Sequence, residues 1–423
     1  MEGASYRRFR PLERLPVKMK PRSLYIHVPF CTRRCSYCDF AVDPTAEPPA
    51  AEWLDSICTE LKLISAEQGW SDPLELDTVY VGGGTPSLLG TGVMASLRDR
   101  LFPHARWSGD AEWTCEANPE SFSTEVARDW KAAGVNRVSL GVQTFHEPSL
   151  RWMGRLHGAA GAGRAVAEAR AAGFDNLSLD LIFGLPTRLG RDWRDDLDRV
   201  VELEPEHVSL YGLTAETGAP LGRWVSEGRE VLADEDQYAE EYLLAHERLT
   251  TAGMEHYEVS NFGRPGHFSR HNFTYWTGDP YLALGPGAHS FLPPVRRWNL
   301  RSWSAYREAL RRDARPIDGS EVVDAAAAEL ERAWLLLRTT RPFRPDPRDA
   351  TVQRLIRSWL ESDLAETREG DIRLTPRGWL LLDEMAVALS SVRSGAYAPD
   401  RLTDVDDRRG SVQILANLND SGQ

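Results

Sequence analysis

Three cysteines stand within eight residues, as Cys31-Thr-Arg-Arg-Cys35-Ser-Tyr-Cys38, a C-x3-C-x2-C spacing. Three thiolates on one short loop can hold three irons of a [4Fe–4S] cluster, which leaves the fourth iron without a protein ligand. Such an open iron can take a small molecule through nitrogen and oxygen atoms. Zinc is the competing chemistry. Structural zinc takes four N or S ligands, commonly from two knuckles, and the chain has no second C-x2-C pair. His27 would be a fourth ligand only from inside the strand that precedes the loop, so the spacing favours the cluster. The other two cysteines, Cys58 and Cys115, are isolated. An odd total of five in 423 residues argues against a disulfide framework and for a reducing compartment. Cys58 shares the apolar helical face of Leu54, Ile57 and Leu61, and Cys115 alternates with Glu116 on a strand. Both read as packing thiols.

Further along, Gly82-Gly83-Gly84-Thr85-Pro86 forms a glycine run. Such a run lets backbone approach a ligand and expose its N–H groups. Polar residues then recur: Glu116 in Cys-Glu-Ala-Asn-Pro, Gln143 in Gly-Val-Gln-Thr-Phe, and Arg155 in Met-Gly-Arg-Leu-His. Asp180 follows in Ser-Leu-Asp-Leu-Ile-Phe-Gly, and then Tyr211-Gly212. Arg155 would offer a guanidinium fork to a carboxylate. Taken singly, each reads as a cap or a surface residue. The run His271-Asn272-Phe-Thr-Tyr275-Trp276 combines an imidazole, the commonest haem-iron ligand, with two flat rings. Taken alone, it reads as a hydrogen-bonded core histidine beside core rings.

The elements that must position these residues alternate. Strands are expected at Leu24–Val28, Thr78–Val81, Glu112–Ala117, Arg137–Val142, Leu177–Phe183 and Val208–Leu213, with helical patterns between them. Strands alternating with helices imply βαβ units and a parallel sheet. The fold class is therefore α/β, a partial (βα)6 TIM-like barrel, with a doubly wound sheet as the weaker alternative. Consecutive strand ends then carry the polar and glycyl features on one face, where barrel active sites sit. A helix is expected over Glu235–Ala252. Helices at Val322–Leu337, Thr351–Glu361 and Arg377–Ser390, with a hairpin at Leu364–Thr367 and Ile372–Thr375, suggest a winged-helix-like module. The expected division is a basic arm over 1–22, the barrel with its histidine-rich extension over 23–300, a mainly helical domain over 301–390 and a mobile tail over 391–423.

Composition bounds the rest. A net charge of −13 argues against a protein built to coat nucleic acid. No run of about 18 apolar residues occurs, so no transmembrane helix is expected. The first 22 residues carry seven Lys or Arg without an apolar stretch, which reads as a basic arm rather than a secretory signal. A cytoplasmic location follows as an expectation.

The chain resembles the radical S-adenosylmethionine (SAM) superfamily. C-x3-C-x2-C after a first strand is the hallmark, and Tyr25-Ile-His-Val-Pro-Phe-Cys31 and Cys38-Asp-Phe40 are similar to the oxygen-independent coproporphyrinogen III oxidase-like family. The resemblance implies a [4Fe–4S] cluster on Cys31, Cys35 and Cys38, with SAM chelating the open iron. It implies cofactor contacts from Tyr25, Tyr37, Gly83, Gly84, Thr85, Glu116, Gln143, Arg155, Asp180 and Gly212. The dehydrogenase branch carries a further cysteine where Phe40 stands here, and Cys-Asp-Phe is typical of the HemW-type haem chaperones. The His-Asn-x-x-Tyr-Trp run is that group's haem motif, which assigns haem contact to His271, Asn272, Tyr275 and Trp276. The resemblance thus implies a carrier of cluster, SAM and haem that delivers haem to respiratory membrane proteins, as a homodimer with transient membrane association. Whether SAM is cleaved productively stays open. The alternative is a radical SAM enzyme, either a class C methylase or cyclopropanase, or a coproporphyrinogen III dehydrogenase.

Overall fold

A computed structural model describes residues 20–393. The expected basic arm lies outside the described residues except for its last three, and the expected tail except for its first three. Six strands carry the architecture: β1 (Ser23–Val28), β2 (Leu74–Gly83), β3 (Ala105–Ala117), β4 (Arg137–Gln143), β5 (Leu177–Phe183) and β6 (His207–Gly212). They pair in parallel in chain order. Beyond β6 the sheet continues antiparallel through β7 (Glu255–Glu258) and β8 (Asn261–Gly263), and β9 (Leu282–Leu284) joins parallel to β1. The spatial order is β9-β1-β2-β3-β4-β5-β6-β8-β7. This is the partial TIM-like barrel.

The strands form because their side chains alternate. Ile26, Val81, Cys115, Leu140, Leu179 and Leu210 enter the main hydrophobic core with the covering helices. The opposite parity is polar: Tyr80, Glu116, Ser139, Asp180 and Ser209. These residues bond to one another across strands, Tyr80 to Glu116 at 2.7 Å and Ser139 to Asp180 at 3.0 Å. A one-residue slip would exchange the two faces, so the pattern fixes the register. The intervening helices begin at side-chain caps such as Ser123, Asp192 and Asp234, whose oxygens accept backbone N–H groups. Each such cap contributes about 1 kcal/mol.

A second sheet follows, of β10 (His289–Leu292), β11 (Val295–Asn299) and β12 (Ile317–Val322), all antiparallel. Its pairing from Val295↔Val322 to Asn299↔Ile317 crosses the expected division at residue 300. The expected helix over 322–337 starts later, at Ala325, because Val322 is still paired in β12 and Asp324 caps the helix. The expected helix over 377–390 is two, Pro376–Trp379 and Leu382–Arg393. The second carries residues 391–393, so the tail cannot begin before residue 394. The hairpin is present, as Ala365–Arg368 paired with Asp371–Leu374. One hydrophobic core runs continuously from Leu24 to Val392. Among the described residues no helix is long and apolar enough to cross a membrane.

Candidate functional site

The cysteine loop leaves the C-terminal end of β1, where Phe30–Cys31 pairs with Asp43–Pro44. It is held by backbone bonds from outside: Ser36 N–H donates to the Met153 carbonyl at 3.1 Å, and Leu221 N–H donates to the Ser36 carbonyl at 2.8 Å. Tyr37 packs beside an apolar group that includes Met153 and Leu221. The thiols themselves are partly shielded. Burial pushes the Cys31 thiol up to about 11 and the Cys38 thiol up to about 12. Hydrogen bonds oppose this, from Thr85 to Cys31 and from the Phe40 amide to Cys38.

A chain of polar groups joins two of the three cysteines. Thr85 Oγ1 donates to Cys31 Sγ at 3.3 Å, and Asn118 Nδ2 donates to Thr85 Oγ1 at 2.9 Å. Asn118 Oδ1 accepts from Arg155 Nη2 at 2.6 Å, and Arg155 Nη1 lies 4.0 Å from Cys35 Sγ. Burial alone would weaken the Arg155 charge, but Tyr37, Glu120 and Cys35 around it hold the proton more tightly. Three thiols with two donors and a buried guanidinium suit an anionic metal–sulfur cluster, since coordinating thiols must be deprotonated. His27 is not a fourth ligand. Its ring nitrogens meet Tyr25 OH at 3.0 Å and the Ala41 carbonyl at 2.9 Å. Asn118 is the residue that sequence reasoning missed. Its signal was a polar residue before Pro119, directly after a strand.

The glycine run explains itself sterically. A Cβ on Gly83, at φ +104°, would lie 2.3 Å from the His27 ring, and one on Gly84 would lie 2.6 Å from the Phe30 carbonyl oxygen. Only glycine lets this turn press onto the backbone that enters Cys31. Glu116 accepts from Tyr80 OH at 2.7 Å and from Gly83 N–H at 2.8 Å. Burial raises its carboxyl to about 7, and Asp180 adds to the rise. Burial likewise raises Asp180, against hydrogen bonds from Ser209 and Ser139. Gln143 ends β4 in left-handed backbone, at φ 66°. A non-glycine residue held there costs about 1–3 kcal/mol and is typical of functional sites. These groups share the upper end of the barrel with the cysteine loop. A Cβ on Gly212 would meet Tyr238 OH at 2.0 Å, so the missing side chain makes room for Tyr238.

The histidine motif lies across Tyr80 from these groups: the Tyr80 ring is 5.2 Å from that of His271, and its hydroxyl donates to Glu116. The helix Arg270–Trp276 begins below the sheet, where the N–H groups of Arg270 and His271 donate to Glu112 at 3.0 Å each. His271 is 1% exposed. Its Nδ1 meets Thr78 Oγ1 at 2.8 Å and its Nε2 meets Tyr275 OH at 2.8 Å. Burial, with Arg137 nearby, lowers its pKa to about 3. Both ring nitrogens of His271 are thus hydrogen-bonded in this structure. Tyr275 and Trp276 are core rings. Tyr275 stands edge-on to Tyr281 at 4.7 Å, and Arg338 lies 4.0 Å over Trp276. The Asn272 side chain is half-buried and makes no hydrogen bond among the described residues.

Comparison with known proteins identifies the family. The Radical SAM superfamily model covers residues 25–200. The protein named Heme chaperone HemW from Mycobacterium tuberculosis (strain H37Rv) is 37% identical over 377 residues, spanning 88% of this chain and 96% of that protein. Its namesake from Bacillus subtilis is 32% identical, spanning 86% and 98%. Among solved structures, coproporphyrinogen III oxidase (HemN) from Escherichia coli, described as a radical SAM enzyme, superposes with a TM-score of 0.73. It is 21% identical and covers 88% of this chain and 90% of its own, a likeness of fold. With its cysteine loop, its partial barrel and near-complete alignment to these chaperones, the chain belongs to the HemW family of radical SAM proteins.

Proposed function

We propose that this protein is a cytoplasmic haem chaperone. It would hold a [4Fe–4S] cluster on Cys31, Cys35 and Cys38, bind SAM beside it, carry haem and release it to membrane-bound respiratory acceptors. The observation that carries the reading is the polar chain Cys31–Thr85–Asn118–Arg155–Cys35, built in a chain alignable over most of its length to proteins named haem chaperones. When bound, the cluster would supply one electron and an open iron. The protein's own groups would then position SAM. Gly83 and Gly84 bring backbone close, Arg155 offers a retained positive charge to a carboxylate, and Glu116 and Asp180 face the interior from β3 and β5. Glu116, raised to about 7, gains its charge most readily when a cation such as the SAM ammonium arrives. Phe40, where the dehydrogenase branch has a thiol, supports transport over porphyrinogen oxidation.

The test is anaerobic reconstitution followed by haem titration and a coproporphyrinogen III assay. Iron and sulfide near four each per chain are expected, as in any [4Fe–4S] centre. Cys35→Ala should abolish both. Haem binding without vinyl products supports the chaperone, whereas vinyl formation from coproporphyrinogen III would sink it. Zinc in place of iron in anaerobically purified protein would remove the cluster reading.

A further inference from the structure

Two histidines with buried, unpartnered nitrogens stand in different surroundings. His289 faces an open cleft of about 780 Å³ between the sheet β10–β12 and the helices Ala325–Leu337 and Leu382–Arg393. Its ring stacks on Trp298, which fills space that Gly319 leaves free: a Cβ there would lie 2.3 Å from the indole. The arginines of that cleft are already paired, Arg296 with Glu321 and Glu331, and Arg301 with Asp39. His157 has no open space beside it. Its side chain is 0% exposed, and neither ring nitrogen makes a hydrogen bond among the described residues. It follows Arg155 by two positions, on the loop that leads into the helix Gly161–Ala171.

The seat of the His157 ring is built from both sides. A Cβ on Gly161 would lie 2.6 Å from the His157 Cβ, so a side chain there would push the histidine away. The Ala159 N–H donates to Glu147 Oε2 at 2.8 Å and pins the loop. The imidazole Nδ1 lies 3.4 Å from Glu120 Oε2. Glu120 stands on the turn Asn118-Pro119-Glu120, and the Pro119 carbonyl accepts from Arg164 Nη2 at 3.2 Å, on the same helix. The same carboxylate oxygen, Oε2, lies 4.0 Å from Arg155 Nη2. Among the described residues no other carboxylate comes so near Arg155. Burial raises the Glu120 carboxyl, but His157 and Arg155 outweigh it and hold it below its ordinary value, so it is charged at neutral pH.

One carboxylate oxygen therefore stands between a guanidinium and an imidazole. At 4.0 Å it offsets the Arg155 charge but accepts no hydrogen bond from it, since such bonds are about 2.7–3.2 Å long. Arg155 Nη2 already donates to Asn118 Oδ1 and to the Gly141 carbonyl, at 2.6 Å each. Its Nε is buried without an acceptor. A carboxylate locked onto Arg155 as a bidentate fork would occupy such donors. We propose that His157 and Glu120 are positioning residues for Arg155: the imidazole draws Glu120 Oε2 to itself and holds it off the guanidinium, which stays oriented and free to bind the carboxylate of SAM. The proposal rests on the cluster-and-SAM reading above and deepens it by two residues, neither of which bonds to a cysteine. In a buried site the effective dielectric is low, so the standoff of Glu120 decides how much charge Arg155 offers.

The experiment uses the anaerobically prepared, cluster-loaded full chain. SAM affinity is read by equilibrium dialysis, and the cluster midpoint potential by a redox titration followed by EPR. His157→Ala frees Glu120 to close on Arg155. SAM should then bind about tenfold or more weakly, a loss of at least ~1.4 kcal/mol, and the potential should move to more negative values. Adding Glu120→Gln to that variant should restore the affinity and return the potential to wild-type values or above. His157→Asn, whose amide nitrogen takes the place of Nδ1, should behave as wild type. Glu120→Gln alone should bind SAM at least as tightly as wild type, at a more positive potential, and it serves as the test if His157→Ala does not fold. A cavity alone is not repaired by Glu120→Gln, so a double variant as weak as His157→Ala would overturn the proposal. So would wild-type affinity and potential in His157→Ala, or weaker SAM binding in Glu120→Gln. Wild-type chain that takes up the cluster but binds no SAM would instead overturn the reading beneath it.

Discussion

The lower end of the barrel and the open cleft each hold a neutral histidine, and they differ in what the imidazole can still do. Burial is the main cause of the low pKa in both, about 3 for His271 and about 4 for His289. A neutral imidazole has one donor and one acceptor nitrogen. At His271 both are used, by Thr78 and Tyr275. At His289 neither has a partner among the described residues, and the ring borders a cavity. The first arrangement makes a histidine a strut, and the second leaves its imidazole unengaged. The residue type is the same in the two places, so the neighbours decide.

Stability should separate the two most sharply. His271→Ala removes two buried hydrogen bonds and leaves the Thr78 and Tyr275 hydroxyls facing a void. Large-to-small changes of this kind cost ~3–5 kcal/mol. His289→Ala breaks no hydrogen bond and should cost under ~1 kcal/mol. Urea unfolding of the two variants checks this. Equal losses, or a larger loss at His289, would break the comparison. Trp276→Ala comes next. Its ring lies under Arg338, which pairs with the buried Glu258 at 3.0 Å and so links the barrel to the C-terminal helices. A loss of ~2–4 kcal/mol is expected from the vacated ring volume and the weakened cover on that pair.

Acid and base should act on different groups of the barrel interior. His271 has a folded pKa of about 3 against an ordinary 6.5, so the unfolded chain binds the extra proton between those values. Its contribution is present above pH 6.5 and is lost as the pH falls toward 3. Glu116 runs the other way. Its folded pKa of about 7 exceeds an ordinary 4.5, so its contribution is full below pH 4.5 and is lost as the pH rises through 7. Glu116→Gln, measured on cofactor-free protein at pH 8, should therefore gain on wild type by up to ~3 kcal/mol and gain nothing at pH 4. Thermal melts at the two pH values test it, and a gain at pH 4 would show that Glu116 is not the titrating group. SAM, if it places a cation beside Glu116, should erase the difference at pH 8.

How far the sequence reaches follows the same line. The six barrel strands were legible because their β-branched residues alternate with polar ones. β2 and β3 start well before their expected bounds, where Glu75 and Asp77, and Gly109 and Asp110, imitate turns. The cysteine loop and glycine run were legible because short-range spacing fixes their chemistry. The cleft was not. Its wall joins His289, Trp298 and Gly319 through strand pairing, and Gly319 carries no side chain to announce the fit. The burial of His271 was equally hidden, since Thr78 lies nearly two hundred positions away in the chain and meets it only across the folded barrel.

Asn272 gives the smallest and cleanest contrast. The motif assigns it a haem contact, yet its backbone N–H donates to Ser269 as part of the helix cap while its amide side chain bonds to nothing described. If the motif is a structural plug, Asn272→Ala removes no bond from the fold and places a better helix former in the helix Arg270–Trp276. Stability should shift by no more than ~0.5 kcal/mol, and toward higher stability. Under that reading, haem affinity and the Soret band should stay at wild-type values. A variant that folds normally but binds haem several-fold more weakly would return the porphyrin to the barrel's lower end. It would do so without the instability that clouds any substitution of His271 itself.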